Sequence, residues 1–422
     1  MQGDFAFLSQ RIWMALLVLT LLAAGCSKSG TTHDTPVPEG PAVPEVPETT
    51  PPGTPVGMAE QVVVGPEGGI VTTADDRLQL VFPAGAVQTA TTVTIQPITN
   101  NCPGATGNAY RITPHINFAK PVTLGFSYGD SDYVASFPAA LTIAYQDDQG
   151  RWQAAPNMVK DTANKKVWVT TDHFSDWSLY KAIELIPYST VVEPGQSVAL
   201  HLLQLNEFKN DSLLPLPEPV KKRGGMVQEW KLAGEGALQP KGDEATYTAP
   251  GAIPAKNPVA VSAVLKPRGN WQVTLVSNIY IGNEGLYFRI DNGPWMYCVD
   301  DDGIFFDGYF NTITAANLST EENDGVTIRW VGTRTLHSYM PWRLTWPYFL
   351  YGPNPITNYM HILQNGQPSP GGIYLHHGMQ SLPYAIGTFY LRPALKITIP
   401  PQGAPTYSTH NIEGYFRLKW KN

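Results

Sequence analysis

Cysteine, charge and helical periodicity are what this 422-residue sequence has least of. Only Cys26, Cys102 and Cys298 are present, and the last two stand far apart in the chain, so no disulfide framework is expected. Asp, Glu, Lys and Arg make up 15% of residues and the net charge is −7. Nucleic-acid binding needs a basic footprint that this composition does not supply. Lys221-Lys222-Arg223 is one short basic run in a Pro/Gly-rich stretch and reads as a solvated loop. No long segment repeats apolar residues at helical spacing. Paired catalytic carboxylates, Gly-Xaa-Ser-Xaa-Gly, zincin and phosphate-loop patterns are all missing, so the expectation is a non-enzymatic protein without a cofactor.

Two groupings invite a metal and fall short. Asp300-Asp301-Asp302-Gly303 lacks the spaced oxygen ligands and distal carboxylate of a calcium loop, and reads as an exposed hairpin turn. His376 and His377 are adjacent, so in a strand they point to opposite faces and cannot both join His361 at one site. What the chain does have is 38 glycines, 38 prolines and many short β-branched or aromatic runs between turn signals. That pattern predicts an all-β chain of serial β-sandwich domains: residues 60–181, 182–283 and a sandwich-like domain over 284–422.

Ahead of them, residues 1–25 are read as a signal peptide rather than as fold. Arg11 precedes the apolar run Ile12–Leu22, which is too short for a permanent span. Leu22-Ala23-Ala24-Gly25-Cys26 follows, and this resembles the lipobox of bacterial lipoproteins. The resemblance implies cleavage before Cys26, diacylglycerol on its thiol, an acylated amine and a membrane partner reached through the lipid. Each buried methylene contributes about 0.8 kcal/mol, so several acyl chains make a stable anchor. Ser27 after the cysteine resembles the sorting of outer-membrane lipoproteins. Surface-exported lipoproteins of the Bacteroidetes often carry acidic residues there, and Ser27-Lys28-Ser29-Gly30-Thr31 has none, which leaves the face of the membrane open. Residues 26–59 are otherwise rich in proline, from Pro36 to Pro55, and read as a semi-rigid tether.

In residues 60–181, Leu78, Leu80 and Phe82 alternate on one strand face, as do Val122, Leu124, Phe126 and Tyr128. Leu141, Ile143 and Tyr145 repeat the pattern, followed by Val167 and Val169. The ordered set "GPEGGIVTTADDRLQLVFPAGAV", "TTVTIQPI", "AYRITP", "FAKPVTLGFSY" and "HFSDWSL" resembles the ZU5 domain of ankyrins, netrin receptors, tight-junction scaffolds and some bacterial lipoproteins. The resemblance implies a β-sandwich with a structural or protein-binding role. In certain relatives, ZU5 paired with a UPA domain cleaves itself at His-Phe-Ser. Carried over, Ser175 is the nucleophile, Phe174 the acyl donor, and His173 polarises the bond or takes the serine proton. The same three residues also read as the end of the closing strands, with Asp172 and Asp176 as exposed turn carboxylates. The domain that follows does not resemble UPA.

Residues 182–283 carry Trp230, a Gly-rich turn and Tyr247-Thr248-Ala249-Pro250 before a Val-rich run, which resembles bacterial immunoglobulin-like spacers, with the indole as core plug. In residues 284–422, "SYMPWRLTWPYFLYGPNP" gathers Trp342, Arg343, Trp346, Tyr348 and Tyr351 with prolines between them. Flat apolar faces on a stiff loop suit a sugar, with Arg343 as a stacking cation. The alternative for these aromatics is a packed core. The functional expectation is a lipid-anchored, non-enzymatic cell-envelope protein of the outer membrane that displays β-sandwiches to a glycan or an envelope protein. The alternative is an autoproteolytic protein cut between Phe174 and Ser175.

Overall fold

The computed structural model describes residues 49–205, 225–266, 272–299, 304–317, 325–331, 339–375 and 384–421. Residues 1–48, with Cys26 and most of the stretches read as signal peptide and tether, lie outside the described residues, as do Lys221–Arg223, Asp300–Gly303 and His376–His377. The described chain is all-β and forms β-sandwiches in series.

The first sandwich contains β1 (Glu60–Val64), β2 (Gly69–Thr72), β3 (Leu78–Phe82), β4 (Thr91–Ile98), β5 (Ala109–Thr113), β6 (Asn117–Ser127), β7 (Leu141–Gln146), β8 (Trp152–Ala154), β9 (Val159–Asp161), β10 (Lys166–His173) and β11 (Asp176–Lys181). They make two sheets, β1-β4-β5-β11-β7-β8 and β2-β3-β6-β10-β9. The residues that alternate in the sequence fill the space between them: Leu78, Leu80, Val122, Leu124, Phe126, Ile143 and Val167 are fully buried. Gly68 takes φ 77°, and a Cβ there would stand 2.2 Å from the Phe82 carbonyl. The turn before β2 therefore packs against the turn after β3, and only glycine permits the approach.

The second sandwich contains β12 (Ile183–Ile186), β13 (Ser189–Val192), β14 (Ser197–Gln204), β15 (Val227–Ala233), β16 (Ala237–Lys241), β17 (Glu244–Thr248), β18 (Val259–Leu265) and β19 (Val273–Ile281). Its sheets are β12-β14-β17-β16 and β13-β19-β18-β15, with β13 parallel to β19. Trp230 lies in the core between them and donates its indole N–H to the Gly242 carbonyl at 2.9 Å.

The third sandwich contains β20 (Gly285–Ile290), β21 (Met296–Val299), β22 (Ile304–Phe306), β23 (Phe310–Asn317), β24 (Gly325–Val331), β25 (Tyr339–Pro341), β26 (Tyr348–Asn354), β27 (Thr357–Met360), β28 (Gly371–Leu375), β29 (Tyr384–Thr398) and β30 (Thr406–Lys421). Its layers are continuous, because the two longest strands belong to both. The first half of β29 pairs with β28 and its second half with β27, with a register break between Leu391 and Ala394. β30 pairs with β29 on one edge and with β20 and then β22 on the other. Cys102 and Cys298 are buried and unbridged, one in the first sandwich and one in the third.

Buried contacts weld the sandwiches end to end. Phe137 and Ala140 of the first belong to the core of the second. Beside them a buried Lys181–Glu184 ion pair spans the junction, and the Leu185 amide donates to the Ala135 carbonyl at 2.9 Å. Between the second and third, Tyr415 stacks on Tyr287 (4.7 Å, 7° between planes) and on Tyr280 (4.5 Å), with Trp295 edge-on at 5.0 Å. The Tyr415 hydroxyl accepts from Asn257 Nδ2 at 3.2 Å. Arg417 pairs with Glu193 at 2.7 Å, and its guanidinium lies 3.6 Å from the Tyr384 ring centre. Tyr415→Ala empties the middle of this stack and is expected to destabilise the protein by about 3 kcal/mol. Tyr415→Phe keeps the rings and should cost about 1 kcal/mol. Urea unfolding of both variants against wild type measures the difference.

Candidate functional site

His173, Phe174 and Ser175 fall at the handover from β10 to β11, where the β10–β6 register shifts between Thr171 and His173. Phe174 is a core residue, packed edge-on against Phe82 at 6.0 Å and Phe118 at 4.6 Å. Ser175 is buried, and its hydroxyl donates to the Gln146 carbonyl on the neighbouring β7. The His173 Nδ1 lies 3.0 Å from Asp172 and 3.3 Å from the Thr171 hydroxyl, and its ring rests against Tyr145 and Trp177. Among the described residues no hydrogen bond joins His173 to Ser175. Asp172 is the exposed carboxylate the sequence suggests, but Asp176 is not. It is buried and clasped by Arg111 through two bonds of 2.8 and 2.7 Å. The three residues thus serve as a strand junction, with the hydroxyl engaged away from the bond it would have to attack.

The five residues of the aromatic segment do not share a face. Trp342 is buried, and its indole N–H donates to the Tyr390 carbonyl at 2.7 Å. Tyr351 lies inside the third core, 4.7 Å from Phe288 and 5.6 Å from Tyr359. A strand sends alternate side chains to opposite faces, so along β26 Phe349 and Tyr351 go in while Tyr348 and Leu350 stay half-exposed. Arg343 is exposed and Trp346 and Tyr348 are half-buried at the surface. A single platform of all five is therefore ruled out.

Trp346 and Tyr348 instead join residues that the sequence reading did not single out. Arg329 on β24 sits between Thr312 on β23 and Tyr348 on β26 in one cross-strand row. Its guanidinium lies 4.0 Å from the Phe310 ring centre and 5.3 Å from that of Trp346, and those two rings are 4.4 Å apart. Arg329 Nη2 donates to Asp307 at 3.1 Å, while its buried Nε has no hydrogen-bond partner among the described residues. The other Asp307 oxygen accepts from the amides of Tyr309 (2.9 Å) and Phe310 (2.6 Å), closing the β22–β23 turn. These backbone bonds, and then Arg329, hold its carboxyl below the usual carboxylate range. Tyr309, 60% exposed, stands edge-on to Phe310 at 4.6 Å. The result is an exposed aromatic surface with a cation beneath it and a carboxylate at its margin. Such a surface can stack apolar ring faces and accept hydrogen bonds from hydroxyls.

His361 anchors the chain that carries Trp346. Its Nε2 lies 3.0 Å from the Arg343 carbonyl, and its Nδ1 lies 3.2 Å from the Phe349 carbonyl and 3.3 Å from the Phe349 amide. Burial pushes the pKa of this imidazole below its ordinary value, against the smaller opposing pull of the Phe349 and Arg343 backbone.

Two outcomes follow. The protein is expected to run as one uncut band on a denaturing gel, with Ser175→Ala indistinguishable from wild type. Because the His361 pKa is lowered in the folded state, the unfolded chain takes up the proton first as pH falls. The stability that neutral His361 contributes is therefore present above about pH 6.5 and lost below it. Thermal unfolding is expected at lower temperature near pH 5 than near pH 7.5, and His361→Gln should shrink that difference.

No protein-family model matches the sequence. No curated protein matches it. Among solved structures, the human desmocollin-1 ectodomain aligns with 86% of this chain and 76% of its own length at 10% identity and a TM-score of 0.16, a likeness that carries no argument about fold or function.

Proposed function

We propose that this is a lipid-anchored protein of a bacterial outer membrane that holds its third sandwich out on a stiff arm to bind a glycan. The observation that carries the binding role is the cluster of Trp346, Phe310, Tyr309, Arg329 and Asp307. Its rings are fixed before any ligand arrives, since Arg329 packs on two of them and pairs with Asp307. A preset surface loses less conformational freedom on binding. Trp346 and Tyr309 supply flat faces for pyranose C–H groups, and Asp307 supplies an acceptor for sugar hydroxyls.

The anchor rests on Leu22-Ala23-Ala24-Gly25-Cys26 and the Pro-rich run behind it. The ZU5-like motifs of residues 60–181 and the immunoglobulin-like second sandwich agree with a spacer role, as do the buried junctions that join the sandwiches. Binding of this kind needs no catalytic residue.

The test has two arms on one full-length protein. Cys26→Ser should move the protein from the membrane fraction to the soluble fraction. On a glycan array, Trp346→Ala should weaken binding at least about tenfold, which corresponds to roughly 1.4 kcal/mol. Trp342→Ala is a poor probe because that indole is buried. Equal binding by Trp346→Ala, or no glycan bound by wild type, would sink the glycan reading and leave the anchor standing.

A further inference from the structure

The inward face of β30 changes character along its length. Its even-numbered residues Leu418, Phe416 and Ile412 face the third core. With period two the same face continues to His410 and Ser408, beyond the packed layer, where Ser408 is exposed. Cross-strand partners follow suit: Ala394 in the core opposes His410, and half-buried Lys396 opposes Ser408. Tyr359 on β27 lies opposite Lys396 in turn. This stretch of β30 thus leaves the packed core and carries His410 and Ser408 at the surface.

Three of the polar groups there are connected in series. Asp291, in the turn after β20, has its Oδ2 2.5 Å from His410 Nδ1. The other ring nitrogen, Nε2, is 2.9 Å from the Ser408 hydroxyl. The aspartate is itself fixed: its Oδ1 accepts the Asn411 amide at 2.8 Å and its own amide donates to the Asn411 carbonyl at 2.8 Å. The His410 ring is backed by Tyr359 at 5.6 Å. With Nδ1–H held by the carboxylate, Nε2 is left as the acceptor for the serine proton. A carboxylate, an imidazole and a hydroxyl in this order form the arrangement that makes a serine nucleophilic, and it is defined by geometry rather than by position in a sequence.

We infer that Ser408, His410 and Asp291 form a nucleophilic relay that accepts an acyl group from a small, unhindered ester projecting from a larger molecule. Ser408 Oγ attacks the ester carbonyl while its proton passes to His410 Nε2. The carbonyl–alkoxy bond then breaks, the alcohol leaves with that proton, and Ser408 carries the acyl group. Water, giving a proton to His410, attacks the acyl-serine, releases the carboxylic acid and restores the hydroxyl. Lys396 pairs with Ser408 across the β29–β30 ladder, and its ammonium group lies 5.6 Å from the centre of the Tyr359 ring that backs His410. Exposure of Ser408 suits an ester carried on a chain rather than a free molecule that must be enclosed. This inference does not depend on the glycan reading.

The experiment is covalent labelling of the full-length protein with a fluorophosphonate, read by intact mass and peptide mapping, alongside hydrolysis of p-nitrophenyl acetate. One adduct at Ser408 is expected, absent in Ser408→Ala. His410→Gln and Asp291→Asn should each slow labelling and hydrolysis at least about tenfold. Asp291 takes φ 49°, a conformation asparagine adopts readily, so Asp291→Asn removes the charge and keeps the turn. No adduct, an adduct on another residue, or labelling of Ser408 at an unchanged rate in both relay variants would overturn the inference.

Discussion

The period-two geometry of β30 is the constraint on which most of the third sandwich depends. One face of this strand supplies Ile412, Phe416 and Leu418 to the core. The opposite face supplies Tyr415 and Arg417 to the junction with the second sandwich. A one-residue slip against β29 would exchange the two sets, sending Arg417 inward and Phe416 outward. The register is therefore fixed from both sides at once. Thirteen paired positions along β29 reinforce it, interrupted only at the break between Leu391 and Ala394. Because β20, β22 and β29 all pair with β30, the positions of Asp291 and of the β22–β23 turn follow from that one register.

The second junction uses different chemistry from the first. Between the first and second sandwiches an ion pair is buried with a few backbone bonds. Between the second and third, stacked rings predominate and charges such as Arg417 and Glu193 sit at their margin. Stacked rings tolerate little shear without losing contact, so they suit an orientation that has to be kept. The cluster at Arg329 follows the same logic on a smaller scale. Its cation is placed by strand pairing, its carboxylate by a turn, and the rings close over both.

Much of the fold was legible in the sequence because burying one face of a strand leaves an alternating pattern. Leu78-Gln79-Leu80-Val81-Phe82 is such a run, and Val122, Leu124 and Phe126 make another. The site was less legible, for two physical reasons. Aromatic density does not distinguish inside from outside, so the segment from Trp342 to Tyr351 contained both core plugs and surface rings. Only the pleat of β26 separates them. The second reason is distance: Asp307, Phe310 and Arg329 are drawn to Trp346 by pairing across β23, β24 and β26. No local pattern links residues that meet only through a sheet register. His-Phe-Ser was found for the opposite reason. It is a contiguous motif, and contiguity says nothing about which carbonyl a hydroxyl will reach.

One topological detail of the second sandwich bears on how the chain would carry load. β13 follows β12 at the side of the first sandwich, β19 leaves the domain toward the third, and β13 and β19 are parallel neighbours from Ser189–Asn278 to Val192–Ile281. Tension between the ends of the molecule would draw these strands in opposite directions along their common axis. Every bond of that ladder would then be loaded together in shear, instead of opening one at a time as in a hairpin pulled from its open end. The second sandwich is thereby built as a mechanical clasp between the first and the third.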